Sequence, residues 1–177
     1  MTDERFEDML TGGHPNSLGR TVEVVDRVLA TPARMTELFE CYRSRDEVVR
    51  LRVSNALRRV QAARPDLIVP LIDRLLDEIS ALDQPSAQWT LPKLFEGAAE
   101  AMTPAQSAAA LAVVKRNLAM HGDWIVLNNS MDYLTPLAQG DENLKAWLIP
   151  HLIRLAEDSR KSVAARATKE LRRLDAA

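Results

Sequence analysis

The sequence predicts an all-α protein built as a stack of antiparallel helix pairs. Helix caps recur at short intervals along its 177 residues, and no segment shows the period-two alternation of a β-strand. Only 6 residues are Gly, whereas Ala, Leu and Arg, which lose little side-chain freedom in a helix, are plentiful. The gaps between predicted helices are a few residues long, so successive helices should be antiparallel neighbours.

Capping residues divide the chain into ten predicted helices. Thr31-Pro32 and Thr103-Pro104 each place a cap before a Pro at the first helical position, where the missing N–H costs nothing. Further predicted caps are Asp46, Ser86, Asp123 and Asp141. The predicted helices lie near residues 3–10, 17–30, 32–43, 46–63, 66–81, 86–99, 104–119, 122–137, 142–157 and 160–174.

An internal repeat relates the second helices of these pairs. VRLRVSNALRRV (Val49 to Val60) aligns with VAARATKELRRL (Val163 to Leu174), and the two segments start 114 residues apart, three times 38. One helix pair every ~40 residues is typical of α-helical repeat proteins. We therefore expect one domain over 1–177, with an irregular opening helix pair in 1–31 and four repeats of about 38 residues in 32–177.

The segment ELFECYRSRDEVVRLRVSNALRRV resembles a HEAT unit of the armadillo/HEAT superfamily. An apolar first helix and a polar turn precede a second helix that opens with DEVVR. The resemblance covers 32–174 as helix pairs, and 32–63 and 142–174 at the level of the motif. It implies a right-handed α-α superhelix of about five antiparallel helix pairs, a HEAT-like solenoid.

The chain departs from the HEAT pattern at the residues that bond neighbouring repeats. The family usually has Asp five residues before a Val and Arg directly after that Val. Arg50 fills the Arg position, but Ser44 stands where the Asp belongs. In the last unit Asp158 fills the Asp position, but Ala164 replaces the Arg. The stacking is therefore expected, whereas the Asp–Arg ladder is in doubt.

No constellation for catalysis, a metal or a cofactor is present. Cys41 is the only cysteine, which excludes an intrachain disulfide and a four-cysteine zinc site. The three histidines lack ligand spacing, and there is no phosphate-binding loop, GxSxG or HExxH motif. We expect a non-catalytic protein without a cofactor. The acidic start and a longest apolar run of seven residues (Ala108–Val114) favour a cytoplasmic protein without membrane contact.

Charge is sorted by helix, although the whole chain carries a net charge of −2. Basic residues dominate 44–64 and 159–177, and acidic residues dominate 65–103. Because second helices line the concave surface in HEAT-like stacks, the basic ones should supply arginines to a groove. A row of arginines spaced seven apart is predicted to bind the partner, although simple solubility explains exposed arginines equally well: Arg45, Arg52, Arg59, Arg166 and Arg173.

A polar patch interrupts this row in the middle of the chain. Asn128, Asn129 and Asp132 lie on an otherwise apolar helix, and two adjacent Asn residues lower helix propensity. They are predicted to pair with the backbone of a bound peptide, or else to satisfy a bend in the helix. The loop GGHPNSLGR (Gly12 to Arg20) is either a recognition loop or a connection that closes the core.

These features favour a binding scaffold that recognises a protein or peptide on its concave face and is a monomer. The alternative is nucleic-acid binding through the basic second helices, which would relate the chain to the HEAT-like alkylpurine DNA glycosylases. The basic helices favour that alternative, but no catalytic Asp or Trp pair of those enzymes can be matched here, and the pI is near 6.0. A chromophore-lyase-like repeat protein shares the fold class and has no distinguishing residue.

Overall fold

The computed structural model describes residues 4–175, and every regular element in that range is helical. The Asp3 start of the first predicted helix lies outside it. The described range contains ten α-helices joined by short loops and 3-10 turns: α1 (Phe6–Leu10), α2 (Thr21–Ala30), α3 (Met35–Glu40), α4 (Glu47–Ala63), α5 (Ile72–Asp77), α6 (Pro85–Ala98), α7 (Pro104–Met120), α8 (Trp124–Ala138), α9 (Glu142–Ala156) and α10 (Lys161–Asp175). The all-α prediction is confirmed.

Two predicted helices are interrupted. The segment predicted as 32–43 is α3 with a 3-10 turn at each end, Pro32–Arg34 and Cys41–Arg43. The segment predicted as 66–81 contains only α5 as α-helix, with 3-10 turns before and after it. Pro70 explains the break before α5, because it has no N–H for the helical ladder and its ring clashes with the preceding turn.

The acidic caps form as predicted. Asp46 accepts a hydrogen bond from the backbone N–H of Val48, and Asp123 and Asp141 each accept two at the starts of α8 and α9. Thr103 forms a capping box with Gln106. Thr31 is the N-cap residue before Pro32, as predicted, although its side chain makes no cap bond. The predicted cap Ser86 is wrong: it lies inside α6, because Pro85 already occupies the first helical position.

The even-numbered helices contact one another in chain order, α2 with α4, then α6, α8 and α10, and we call them the central row. The odd-numbered helices pack beside this row, as α7 does against α8 and α9 against α10. Apolar side chains between the two sets, such as Val53, Leu91 and Leu134, are fully buried. Their burial drives the packing, because apolar area removed from water stabilises the fold by about 25 cal/mol per Å².

One bond between neighbouring pairs occurs twice with the same spacing. Arg116 Nη2 donates to the carbonyl of Ser80 at 2.7 Å, and Arg154 Nη2 donates to the carbonyl of Leu118 at 3.2 Å. Donor and acceptor are 36 residues apart in both bonds, and the second bond lies one sequence repeat after the first. Each arginine satisfies a carbonyl near the end of the preceding odd-numbered helix or in the turn after it, where a helix leaves carbonyls unbonded.

Candidate functional site

Arg52 is part of the interior rather than of an open surface. Its side chain is 1% exposed, and the guanidinium donates to four backbone carbonyls, those of Leu10 (2.6 Å), Gly12 (2.6 Å), His14 (3.2 Å) and Ser17 (3.1 Å). These bonds use four of the five N–H donors of the guanidinium. Arg52 is therefore not available to a partner in this conformation, contrary to what its place in the arginine row predicts.

The other predicted residues fall into two groups. Arg166 forms an ion pair with Asp132 between α10 and α8, and Arg173 pairs with the buried carboxylate of Glu170 at 2.8 Å. Arg45 and Arg59 are exposed near opposite ends of α4, and no ion pair engages them within the described part of the chain. The predicted row thus does not form one continuous basic surface.

The predicted asparagines also lie at a contact between helices. Asn129 Nδ2 donates to the carbonyl of Trp89 on α6 at 2.8 Å. Asn128 is 9% exposed, and its Oδ1 is buried without a hydrogen bond. Arg52, Asn129 and Arg166 therefore all face the preceding part of the stack. Leu51 and Trp89, at adjacent positions on the central row, are half-buried.

An apolar pocket lies at these adjacent positions, between the first turns of α4 and α6. Its volume is about 210 Å³. We call it the Trp89 pocket. Its apolar walls are Pro15, Val48, Leu51, Pro85 and Trp89, and the polar residues Gln84, Ser86 and the exposed Glu47 complete the lining at the rim. Three separate segments meet there: the loop before α2, the N-terminal half of α4 and the first turn of α6.

The loop that supplies Pro15 is held in place by Arg52. Gly12, Gly13 and Gly19 have positive φ angles of 73°, 74° and 52°, which other residues rarely adopt. A Cβ atom on Gly19 would lie 2.9 Å from Cζ of Arg52. The loop therefore wraps the guanidinium closely, and this contact fixes the wall of the pocket. The sequence marks the loop by its turn residues, but it does not reveal that Arg52 is the anchor.

The rim of the Trp89 pocket carries one free charge. The Gln84 amide donates to the carbonyl of Glu47 at 3.1 Å and to the Ser86 hydroxyl at 2.6 Å, and it accepts from Arg50. These bonds tie the polar side chains at the base of α6 to α4. The carboxylate of Glu47 is exposed and takes part in no ion pair within residues 4–175. The pocket is thus apolar with an acidic edge.

Cys41 and His151 do not line the Trp89 pocket. Cys41 is buried, its thiol bonds to the carbonyl of Glu37 at 3.3 Å, and burial raises its pKa to about 12. The thiol is therefore protonated at neutral pH and is a poor nucleophile. His151 packs against Trp147 with ring centres 4.3 Å apart and the ring planes tilted by 40°, and its burial lowers its pKa.

Comparisons with known proteins do not assign the chain to a class. No family model, no curated protein and no solved structure matches it. Across residues 4–175 no group of three or more His, Cys, Asp or Glu side chains is arranged to hold a metal ion. Within the same range, none of the helices combines the length and the apolar character that crossing a bilayer requires.

Proposed function

We propose that this chain is a short α-solenoid resembling HEAT repeats that binds a protein partner, taking one apolar side chain of that partner into the Trp89 pocket. The successive contacts along the central row support the solenoid arrangement, as does the arginine bond that recurs one sequence repeat later. We further propose the right-handed superhelix that the resemblance implies, and action as a monomeric, non-catalytic scaffold in the cytoplasm.

The size and lining of the Trp89 pocket carry this proposal. Its volume of about 210 Å³ is smaller than the ~300–1,000 Å³ typical of pockets for drug-sized ligands and cofactors. A single aliphatic or aromatic side chain is a better match. Burying such a side chain contributes about 1.5–3 kcal/mol, so the partner must also contact neighbouring positions of the central row to bind tightly.

The acidic rim indicates which residue type should accompany the apolar side chain of the partner. Glu47 is the one charged side chain on the pocket wall, and it is not neutralised by an ion pair within the described residues. A basic residue beside the apolar residue of the partner would complement it. The structure thus favours a segment in which an apolar side chain is flanked by Lys or Arg.

The same contacts weigh against the nucleic-acid alternative. Phosphate binding needs several arginines on one accessible surface. Arg52 is enclosed by carbonyls, whereas Arg166 and Arg173 are paired with carboxylates. Arg45 and Arg59 are accessible, but they lie near opposite ends of α4. Binding a protein at the Trp89 pocket therefore requires fewer of these arginine side chains to leave their present partners than binding a nucleic acid would.

Selection from a random peptide library displayed on phage tests the proposal. The wild-type chain should enrich peptides with an apolar residue at a fixed position next to a basic one. Leu51→Glu should abolish this enrichment, because it places a second carboxylate in the apolar wall. Ile153→Glu is the matched control: Ile153 is 52% exposed on α9 and does not line the pocket, so the enrichment should persist.

The outcome that contradicts the proposal is equally definite. If the wild-type chain enriches no common motif, or if Leu51→Glu enriches the same peptides as the wild type, the Trp89 pocket is not a binding site. Fluorescence polarisation with duplex and single-stranded DNA and RNA tests the nucleic-acid alternative. Binding that persists at physiological salt would favour the nucleic-acid alternative instead.

A further inference from the structure

The four long helices of the central row, α4, α6, α8 and α10, bury their core residues in one register. One core position of these helices is occupied in turn by Val49, Ala87, Leu127 and Val163. The next core position keeps the same offsets of 38, 40 and 36 residues and is occupied by Val53, Leu91, Met131 and Ala167. On the side of each helix that points away from the core, these offsets align Leu51, Trp89, Asn129 and Ala165. We call this side of the central row its outer face.

Contacts between neighbouring helices support this alignment. The Trp89 pocket joins the first turns of α4 and α6, and Asn129 of α8 donates to the carbonyl of Trp89 at 2.8 Å. One turn further along α8, Asp132 pairs with Arg166 of α10. The outer face therefore continues from the Trp89 pocket across α8 to α10.

The outer face of α10 carries three cations. Ala165 is exposed, and the residues four before, four after and seven after it share its side of the helix. Those residues are Lys161, Lys169 and Arg172, and all three are exposed. None of them takes part in an ion pair within residues 4–175. The carboxylate of Glu170, in contrast, is buried and does not reach this side of α10.

The helices between the Trp89 pocket and α10 offer no free charge on the outer face. On α8 the side chains at these positions are Ile125, Asn129, Tyr133 and Pro136, none of which is ionised at neutral pH. On α6 the only charged residues, Lys93 and Glu96, pair with each other at 3.1 Å. A segment that leaves the pocket toward α10 thus passes apolar and amide side chains before it reaches the unpaired cations.

The free cation on the outer face of α4 is less suited to an acidic residue of the partner. Arg58 is exposed, and no ion pair engages it in the described part of the chain. The offset of 38 aligns Arg58 with Glu96 on the adjacent helix. An acidic residue at Arg58 would therefore lie near a carboxylate of α6, and like charges that face each other weaken binding. The cations of α10 are the better complement.

We propose that the partner segment held at the Trp89 pocket continues in extended form across α8 and carries acidic residues that contact Lys161, Lys169 and Arg172. Packed helices lie ~8–10 Å apart, so α10 is about 16–20 Å from α6. An extended chain covers about 3.3–3.6 Å per residue, which places these Asp or Glu residues about five or six positions from the apolar residue in the pocket. The basic residue that complements Glu47 lies on the other side of the apolar residue. This inference rests on the proposed function of the pocket.

The phage selection that tests the Trp89 pocket also tests this order of residues. It requires a library of peptides of about 16 residues, long enough to span α4 to α10. The wild-type chain should enrich Asp or Glu about five or six positions from the apolar residue, on the side opposite the basic one. Enrichment of the apolar–basic pair without these acidic residues overturns this inference and leaves the proposed function in place. A selection without any common motif refutes both.

Affinities of fluorescein-labelled peptides from the selection test the role of α10. Replacing the acidic residues of a peptide by Gln should weaken its binding to the wild type by about threefold or more, because several exposed ion pairs are lost. Lys169→Glu should cause a comparable loss for the acidic peptide. The same variant should bind more tightly once the acidic residues of the peptide are replaced by Lys. A damaged fold would not produce that recovery.

Arg58→Glu is the matched control, because it reverses an exposed, unpaired charge on the outer face of α4. Its affinity for the acidic peptide should stay within about twofold of the wild type at physiological salt. Wild-type affinity in Lys169→Glu, or equal losses in Arg58→Glu and Lys169→Glu, would refute the assignment to α10. The proposal is also overturned if single-stranded RNA binds the wild type at physiological salt and Lys169→Glu removes that binding, since the cations then contact phosphates.

Discussion

Replacing Gly19 by alanine measures how firmly Arg52 holds the loop before α2. Gly19 has a φ of 52°, and an added Cβ would lie 2.9 Å from Arg52 Cζ and 3.0 Å from Nη1. The left-handed backbone costs a non-glycine residue about 1–2 kcal/mol. The clash must also displace the guanidinium and break at least one of its carbonyl bonds, and each such charged bond contributes about 1.5–3 kcal/mol.

These two effects together predict that Gly19→Ala lowers the free energy of unfolding by about 2.5–5 kcal/mol. Gly12→Ala is the matched control in the same loop. Gly12 has a φ of 73°, but a Cβ there would meet no atom within 4 Å, so only the backbone cost of about 1–2 kcal/mol applies. The difference between the two variants therefore isolates the contact with Arg52.

Urea unfolding followed by far-ultraviolet circular dichroism gives both free energies. For a single domain of this size the transition should be cooperative, and the slope with urea should be the same for both variants. Equal destabilisation by the two substitutions, within about 0.5 kcal/mol, would refute the reasoning. It would mean that the guanidinium moves aside without cost and that the loop does not depend on it.

Three further predictions follow from single contacts. A Cβ on Gly97 in α6 would lie 2.6 Å from the Gln61 amide. Gly97→Ala should therefore raise the free energy of unfolding by about 1 kcal/mol in a Gln61→Ala background and by less in the wild type. A double-mutant cycle in urea measures the difference. Because the pKa of Cys41 is raised to about 12, iodoacetamide at pH 8 should modify the native thiol far more slowly than the urea-unfolded one; equal rates would contradict its burial. Hydrogen bonds from Arg160 lower the pKa of Asp158 to about 2. This ion pair therefore stabilises the fold above the usual aspartate pKa, and the stabilisation is lost as the pH falls through about 2. A carboxyl-carbon NMR titration should show that midpoint, and Arg160→Gln should move it back toward 3.8.

The helices could be predicted from the sequence because their signals are local. Caps such as Asp123 and Thr103 act on backbone groups two or three residues away, so residue type and spacing suffice to place them. The break before α5 depends on local sequence too, since Pro70 removes a backbone donor. Such signals do not extend to the arrangement of helices around one another.

The candidate site could not be predicted for the same reason. A spacing of seven residues gives the direction of Arg52 around the axis of α4, but it does not say which neighbouring segment covers that side of the helix. Here the loop before α2 covers Arg52, and α8 covers Arg166 through Asp132. The Trp89 pocket needs three segments that are distant in sequence. Only the three-dimensional structure brings Pro15 to Trp89.

The paired bonds of Arg116 and Arg154 bear on how the chain could be lengthened. Since donor and acceptor keep the same separation in both bonds, a duplicated copy of 104–141 inserted after Asp141 would bring its own arginine and its own carbonyl to each new junction. The junctions on either side would then repeat bonds that the chain already makes. Repeat proteins grow in this manner because each unit contacts only its neighbours. Residues 104–141 can therefore serve as the unit by which the chain is lengthened. The segment ends on Asp141, which caps the helix that follows it.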